Sequence, residues 1–364
     1  MLHSVAELEK AQTVYEPILD SNIATAPAPY RLRRTFRAVS EVRPGKQWQR
    51  LLADGWIGWR EWYVARAAST ASTEREAVRA VRRYMPELEK LLDGLAGHLP
   101  DDPVLREFLA FWCPPRYLVN CTQAASVDDQ GPFLMRNYDL DPALNEATLL
   151  HSQWRGKKVM GMVEGLSGLS DGINENGLAI SLSFGGRVIK GRGFGIPLIM
   201  RYVLETCTDV QDGIEALRAI PCHMSYNVTM VDVKGAMSTA FLAPDRRAMI
   251  QNTPWATNHQ LGVEWPRHGR MSATIERAQR LHQRYKTTYP TEAQLRRAFL
   301  GAPFFSRNYR AGYGTVFSAC YRPIQQTALL GWGDKQVHCW SMNSFKDTSL
   351  EIEYTDAGSR VLTD

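Results

Sequence analysis

Between residues 46 and 113 the apolar positions recur at helical spacing. Trp48, Leu52, Trp56, Trp59 and Tyr63 make one stripe, which predicts a helix with a buried face rather than a ligand cage. A second helix is expected over about Thr73 to Tyr84, and a third from Pro86, where proline suits the first turn. Leu105, Phe108, Leu109 and Trp112 form the inner face of a fourth, stopped by Pro114-Pro115. Residues 1–29 read as irregular. In Tyr30–Arg37 the side chains of Arg31, Arg33 and Arg37 alternate as on an edge strand. That strip suits either phosphate binding or a solvated edge that resists aggregation.

After the double proline the period falls to two. Tyr117–Val127 and Phe133–Leu140, joined by Asp128-Asp129-Gln130-Gly131-Pro132, predict a β-hairpin. Further strands are expected at about Ala147–Trp154, Val159–Glu164 and Leu178–Phe184, the last preceded by a turn over Asp171–Gly177. Two helices follow. Pro197 starts one that runs to about Thr206, and Thr208-Asp209-Val210-Gln211 opens the other with a capping box. Strands resume at Asn227–Asp232, Ser238–Leu242 and Met249–Asn252. A helical pair, Ser272–Tyr285 and Thr291–Leu300, then precedes strands at Thr315–Tyr321, Thr327–Gly331 and Val337–Trp340. Strands grouped apart from helices predict an α+β protein with antiparallel sheets.

The chain has 364 residues, 44% hydrophobic and 22% charged, enough to bury a large core. Its net charge of +5 is spread along the whole length, with no basic tail or domain that calls for nucleic acid. No apolar run is long enough to span a membrane, and the first residues do not read as a secretory signal. A cytoplasmic setting is therefore expected. The six cysteines show no Cys-x-x-Cys spacing, so neither a disulfide framework nor a zinc ribbon is expected. His151, His223, His259 and His338 form no metal-ligand pattern, and neither a metal nor another cofactor is called for. The glycines at 185–186 and 191–195 lack the spacing of a nucleotide loop and suit a loop lining a substrate pocket, with Gly193 and Phe194 as candidates.

Cys121 is the informative thiol. It stands where the helical region gives way to strands, and the hairpin brings Arg136 and Asp139 onto the neighbouring strand. An arginine there favours the thiolate, but on the residues alone a packed, unreactive cysteine is the better reading.

Four blocks in order add to this. They are Asn120-Cys121-Thr122-Gln123-Ala124, Arg136-Asn137-Tyr138-Asp139, Asp171-Gly172-Ile173-Asn174-Glu175-Asn176-Gly177-Leu178 and Ala256-Thr257-Asn258-His259. Together they resemble the acyl-coenzyme A:6-aminopenicillanic acid acyltransferase family, over about residues 30–350. That family is a branch of the N-terminal-nucleophile (Ntn) hydrolases, related to bile salt hydrolases, penicillin V acylases and N-acylethanolamine acid amidase. The resemblance implies a four-layer αββα sandwich preceded by a mainly helical pro-segment. It further implies self-cleavage between Asn120 and Cys121 into chains 1–120 and 121–364 that stay associated, with a homo-oligomer possible. Cys121 would be the nucleophile and its freed α-amino group the base. Arg136 and Asp139 would orient them, and Asn258 would donate to the oxyanion.

The implied substrate is a small N-acyl amide or an acyl thioester, with no nucleic acid or membrane partner. Two positions depart from the pattern: Asn120 replaces the glycine common before the cysteine, and Ser183 replaces an asparagine of the bile salt hydrolases. Ser183 and Phe184 are further candidates for contact with substrate. One alternative is a catalytically silent, unprocessed scaffold of the same fold. Another is a thiol enzyme that pairs Cys121 with a histidine such as His151 or His259.

Overall fold

A computed structural model describes residues 29–67, 73–116, 118, 120–333 and 336–362. Residues 1–28 of the expected irregular stretch lie outside these, as do Tyr117 and Val119 at the start of the expected hairpin. The chain opens with strand β1 (Arg31–Glu41) and helices α1 (Lys46–Ala67), α2 (Glu74–Tyr84), α3 (Glu89–Ala96) and α4 (Pro103–Leu109). Next come β2 (Asn120–Asp128), β3 (Gly131–Leu140), β4 (Thr148–Ser152), β5 (Val159–Glu164), β6 (Gly168–Asn174) and β7 (Ala179–Phe184). Helices α5 (Ile196–Thr206) and α6 (Val210–Ala219) lead to β8 (Tyr226–Val231), β9 (Met237–Ala243), β10 (Arg246–Gln251) and β11 (Trp255–Ala256). Helices α7 (Pro266–Met271), α8 (Thr274–Arg284) and α9 (Glu292–Phe299) precede β12 (Gly314–Arg322), β13 (Thr327–Gly331), β14 (His338–Ser341), β15 (Thr348–Thr355) and β16 (Gly358–Val361).

Two sheets result. One has ten strands in the order β10-β9-β8-β7-β6-β5-β4-β1-β15-β16, and the other six in the order β11-β2-β3-β12-β13-β14. The residues of β2 and β3 show why the layers stack as they do. Ala124, Phe133 and Met135 point to one face, where they pack with Leu281 of α8 and with Leu295 and Phe299 of α9. Cys121, Ala125, Leu134 and Tyr138 point to the other face and join the core between the sheets. Helix α5 covers the far side of the larger sheet so closely that a Cβ on Gly168 would lie 2.3 Å from Pro197. The protein is thus α+β, with helices outside two stacked sheets.

Several elements differ from expectation. Strand β1 is no edge: it pairs in parallel with β4 and antiparallel with β15. Its arginines alternate because one face is wet, where Arg31 and Arg33 reach Glu353 and Arg37 reaches Asp54. The stretch read as a turn from Asp171 is in part strand β6. Its glycines hid it: Gly172 faces Gly161, and a Cβ there would lie 2.7 Å from the Met160 carbonyl. Helix α6 is capped by Asp209, which accepts from the Asp212 amide, rather than by a box at Thr208. Capping boxes do stand at Thr73 and Thr291.

Because β1 lies inside the larger sheet, the N-terminal segment is part of the core. Phe36, 1% exposed, sits against Trp332 and Trp340 with ring centroids 4.8 and 5.7 Å away. Phe36→Ala should destabilise the protein by about 3–5 kcal/mol, measured by urea unfolding.

Candidate active site

The β2–β3 hairpin pairs Cys121 with Tyr138 and Asn120 with Asp139. Since side chains alternate, Cys121, Tyr138 and Arg136 share the inter-sheet face, and Asp139 lies on the helix-facing side with Asn120. Cys121 is fully buried, and its Sγ accepts a 2.8 Å hydrogen bond from Arg136 Nη2. The Arg136 guanidinium is held in turn by the Ser170 carbonyl at 3.0 Å and by Asp171 at 3.2 Å. It also lies over the Tyr138 ring, 4.4 Å from the centroid. Behind it, the Tyr321 hydroxyl donates to Asp171 and the Tyr138 hydroxyl donates to Glu164 at 2.7 Å.

The backbone of Cys121 meets a second cluster. Its N–H donates to Asn258 Oδ1 at 3.3 Å, and its carbonyl accepts from Arg277 Nη1 at 2.8 Å. Arg277 also donates to Thr122 Oγ1 and to Asn258 Oδ1, each at 2.6 Å, and stands 3.9 Å from Asp139. Thr274, at the start of α8, positions this cluster. Its hydroxyl accepts from the Asn258 amide and bonds to the Thr257 hydroxyl. Asn258 thus turns its carboxamide oxygen toward Cys121, while its Nδ2 donates to the Phe184 carbonyl at 3.1 Å.

Cys121, Arg136, Asp139, Asn258 and Asn120 are therefore brought together. Ser183 and Phe184 stand just behind, Ser183 donating to the Thr257 carbonyl and Phe184 accepting from Asn258. Gly193 and Phe194 are engaged in packing instead. Phe194 lies against Trp112 at 4.8 Å, and a Cβ on Gly193 would strike the backbone at Cys222. Among the described residues the hydrogen-bond partner of Cys121 Sγ is Arg136, not a histidine. His151 stacks on Phe345, and His259 shares the hydroxyls of Thr257 and Thr274. No cluster of three His, Cys, Asp or Glu side chains fit for a metal, and no helix long and apolar enough to cross a membrane, occurs among the described residues.

Arg277 was not legible in advance. It shares its helix face with Ala278 and Leu281, but Arg280 and Arg284 stand on the same short helix and give it no distinction by composition. An arginine on an apolar face was the only available signal. The sequence pattern around Asp171 assigns it no role, whereas the structure makes it the counter-charge of Arg136.

Burial pushes the Cys121 thiol up to about 12 despite the pull of Arg136, so it is protonated at neutral pH. Burial also raises Asp139 to about 6, against the pull of Arg277 and the Thr315 hydroxyl. The folded chain therefore binds that proton more tightly than the unfolded one. The stability so gained is present at low pH and is lost as pH rises toward 6. In a Cys121→Ala chain, Asp139→Asn should remove a loss of about 2 kcal/mol between pH 4 and 7. Urea unfolding at the two pH values measures this.

Residues 126–336, more than half of the chain, match the family described as acyl-coenzyme A:6-aminopenicillanic acid acyl-transferase. The matched span contains Arg136, Asp139, Asn258 and Arg277 and begins just after Cys121. Solved structures add three likenesses. A variant of conjugated bile acid hydrolase from Clostridium perfringens is 13% identical, with 63% of this chain and 96% of that chain covered and a TM-score of 0.40. Penicillin V acylase from Agrobacterium tumefaciens is 12% identical, covering 63% and 91%, with a TM-score of 0.41. The Caenorhabditis elegans ortholog of N-acylethanolamine-hydrolyzing acid amidase is 17% identical, covering 67% and 100%, with a TM-score of 0.40. No curated protein sequence matches the chain.

Proposed function

Because the chain belongs to the acyl-coenzyme A:6-aminopenicillanic acid acyl-transferase family, we propose that it is a self-processing enzyme that cleaves a linear amide or transfers an acyl group from a thioester. Cys121 is the nucleophile of this reading. One observation carries it: the thiol and the nitrogen of the same residue are gripped separately, Sγ by Arg136 and N by Asn258. A cysteine kept only for packing needs neither contact.

In the intact chain the Cys121 nitrogen is an amide and cannot serve as a base. Cleavage between Asn120 and Cys121 turns it into an α-amino group, whose ordinary pKa near ~8 lets it take the thiol proton at neutral pH. Arg136 then stabilises the thiolate and Asn258 Oδ1 orients the amine. Asp139, beside Arg277, balances the charge. An Asn amide carries two N–H donors. One of them meets the Phe184 carbonyl, and the other is the one we assign to the oxyanion.

An apolar cleft lies between the N-terminal segment and the larger sheet, lined by Trp59, Phe108, Phe111, Ile196, Met224 and Tyr226. Glu164 also lines it and binds Tyr138, the residue directly opposite Cys121. Cys121 does not line this cleft, which meets the neighbourhood of the thiol through the Glu164–Tyr138 hydrogen bond. Chains 1–120 and 121–364 should stay together after the cut, because the first supplies β1.

Two measurements test the proposal. Asn258→Ala should lower turnover of N-acyl amides or acyl thioesters by about 10² to 10³ in a folded protein. Full activity in that variant removes Asn258 from the site. Intact mass and N-terminal sequencing should show wild type as two co-purifying chains, the second beginning at Cys121. Cys121→Ala should stay whole and inactive, and Cys121→Ser should cut slowly because a hydroxyl is the weaker nucleophile. Wild type that stays whole yet turns over substrate, or Cys121→Ala that still splits there, sinks the self-processing mechanism. A whole and inactive wild type leaves the silent scaffold.

A further inference from the structure

The scissile peptide has a second grip that the chemistry above does not use. The imidazole of His268, on α7, places Nε2 2.7 Å from Asn120 Oδ1. Both residues are buried. The ring is fixed on two sides. It stacks on Trp265 with centroids 5.0 Å apart, and meets Phe184 edge-on at 5.1 Å.

An amide oxygen only accepts, so Nε2 carries the proton in this contact. Burial and the nearby Arg277 press the imidazole down to about 4, which keeps it neutral with Nε2–H as the donor. The other nitrogen, Nδ1, is buried and has no hydrogen-bond partner among the described residues. A buried imidazole with one nitrogen unsatisfied costs stability, and a phenyl ring would fill the same slot without that cost. What the histidine adds over a phenyl ring is its one bond to Asn120.

We infer that His268 is a positioning residue for self-cleavage: it locks the Asn120 side chain and thereby holds the Asn120 carbonyl for attack by the Cys121 thiol, which rests on the self-processing proposed above. The two ends of the bond are then clamped from one short stretch of chain. His268 holds the acyl side through Asn120. Arg277, nine residues on, holds the Cys121 carbonyl and the Asn258 oxygen that receives the Cys121 N–H. Without the clamp, Asn120 is a rotor beside the reacting carbon, and each conformer lost before attack lowers the rate.

In the reaction, a bond forms between Cys121 Sγ and the Asn120 carbonyl carbon, and the bond from that carbon to the Cys121 nitrogen breaks. The thiol proton passes to that nitrogen, giving a thioester and a free amine. Water then adds to the thioester, one of its protons restoring the thiol and the other leaving to solvent, so that Asn120 ends in a carboxylate. His268 gains and loses no proton.

The test follows cleavage of full-length chains made by cell-free translation, timed by gel and intact mass, with a thermal melt of each variant. His268→Phe keeps the ring between Trp265 and Phe184 but lacks the donor, and should slow cleavage about tenfold, the loss of one oriented hydrogen bond. His268→Gln sets an amide N–H near the place of Nε2–H and should recover to within about threefold of wild type. Asn120→Leu removes the same bond from the other side and should slow cleavage by a similar factor. The double variant should be no slower than Asn120→Leu alone, since both changes delete one interaction.

His268→Phe cutting at the wild-type rate overturns the assignment, as does a double variant in which the two slowdowns multiply. If His268→Phe does not fold, Asn120→Leu cutting at the wild-type rate overturns it instead. Wild type that never cuts overturns the self-processing reading along with this one, whereas wild type that cuts with indifference to these changes overturns this one alone.

Discussion

The burial of the Arg277 guanidinium is the constraint on which the rest of the site depends. A cation taken out of water is tolerated only when its donors are met and its charge is balanced. Arg277, 1% exposed, meets that demand at Nη1 and Nη2 with the Cys121 carbonyl, the Thr122 hydroxyl and the Asn258 carboxamide, with Asp139 nearby, while its buried Nε has no hydrogen-bond partner among the described residues. Those partners come from β2, β3 and the loop after β11, which are far apart in the chain. Satisfying one side chain therefore fixes the hairpin, the loop and helix α8 relative to one another. The orientation of Asn258 follows as well, because an oxygen already engaged by Arg277 cannot exchange places with the NH2 group.

Arg136 does the same on the opposite face of the hairpin. It is fully buried, and its charge is shared by Asp171, the Ser170 carbonyl and the Cys121 sulfur. Strand β2 thus runs between two guanidinium groups, one near the thiol and one near the backbone of the same cysteine. Each cation has a carboxylate close by, Asp171 for Arg136 and Asp139 for Arg277. Burial nevertheless dominates at the sulfur, and the thiol stays protonated. A single arginine does not overcome complete desolvation of a thiolate.

Periodicity carried most of the fold because its strongest signals are local. The stripe from Trp48 to Tyr63 and the hairpin around Gly131 each state their element within a few residues. The failures came where the environment overrides local pattern. Strand β6 reads as a turn because its glycines answer to helix α5 and to the facing strand, neither of which is local. The arginines of β1 mark a solvated face, and pattern alone does not tell that from an edge. At the site, Arg136 and Asp139 could be placed near Cys121 by hairpin geometry, though they fall on opposite faces of it. Arg277 and His268 could not, since both reach the hairpin from about 150 residues away in sequence, a separation that no period in the chain reports.

The same charges bear on what cleavage would accomplish under the proposed function. The cut leaves the topology alone, since β1 keeps the first chain within the larger sheet. What changes is one nitrogen, from an amide that donates once to an amine that can also accept a proton. Asn258 Oδ1 already stands as its acceptor, so no rearrangement is needed to hold it. Protonation of that amine would add a third positive charge beside Arg136 and Arg277, whose carboxylate partners among the described residues are Asp171 and Asp139. Like charges and desolvation both disfavour the ammonium form. Under the proposed function these two effects would keep a new terminal amine neutral, which is the state in which it could take the proton of a thiol that Arg136 alone leaves bound.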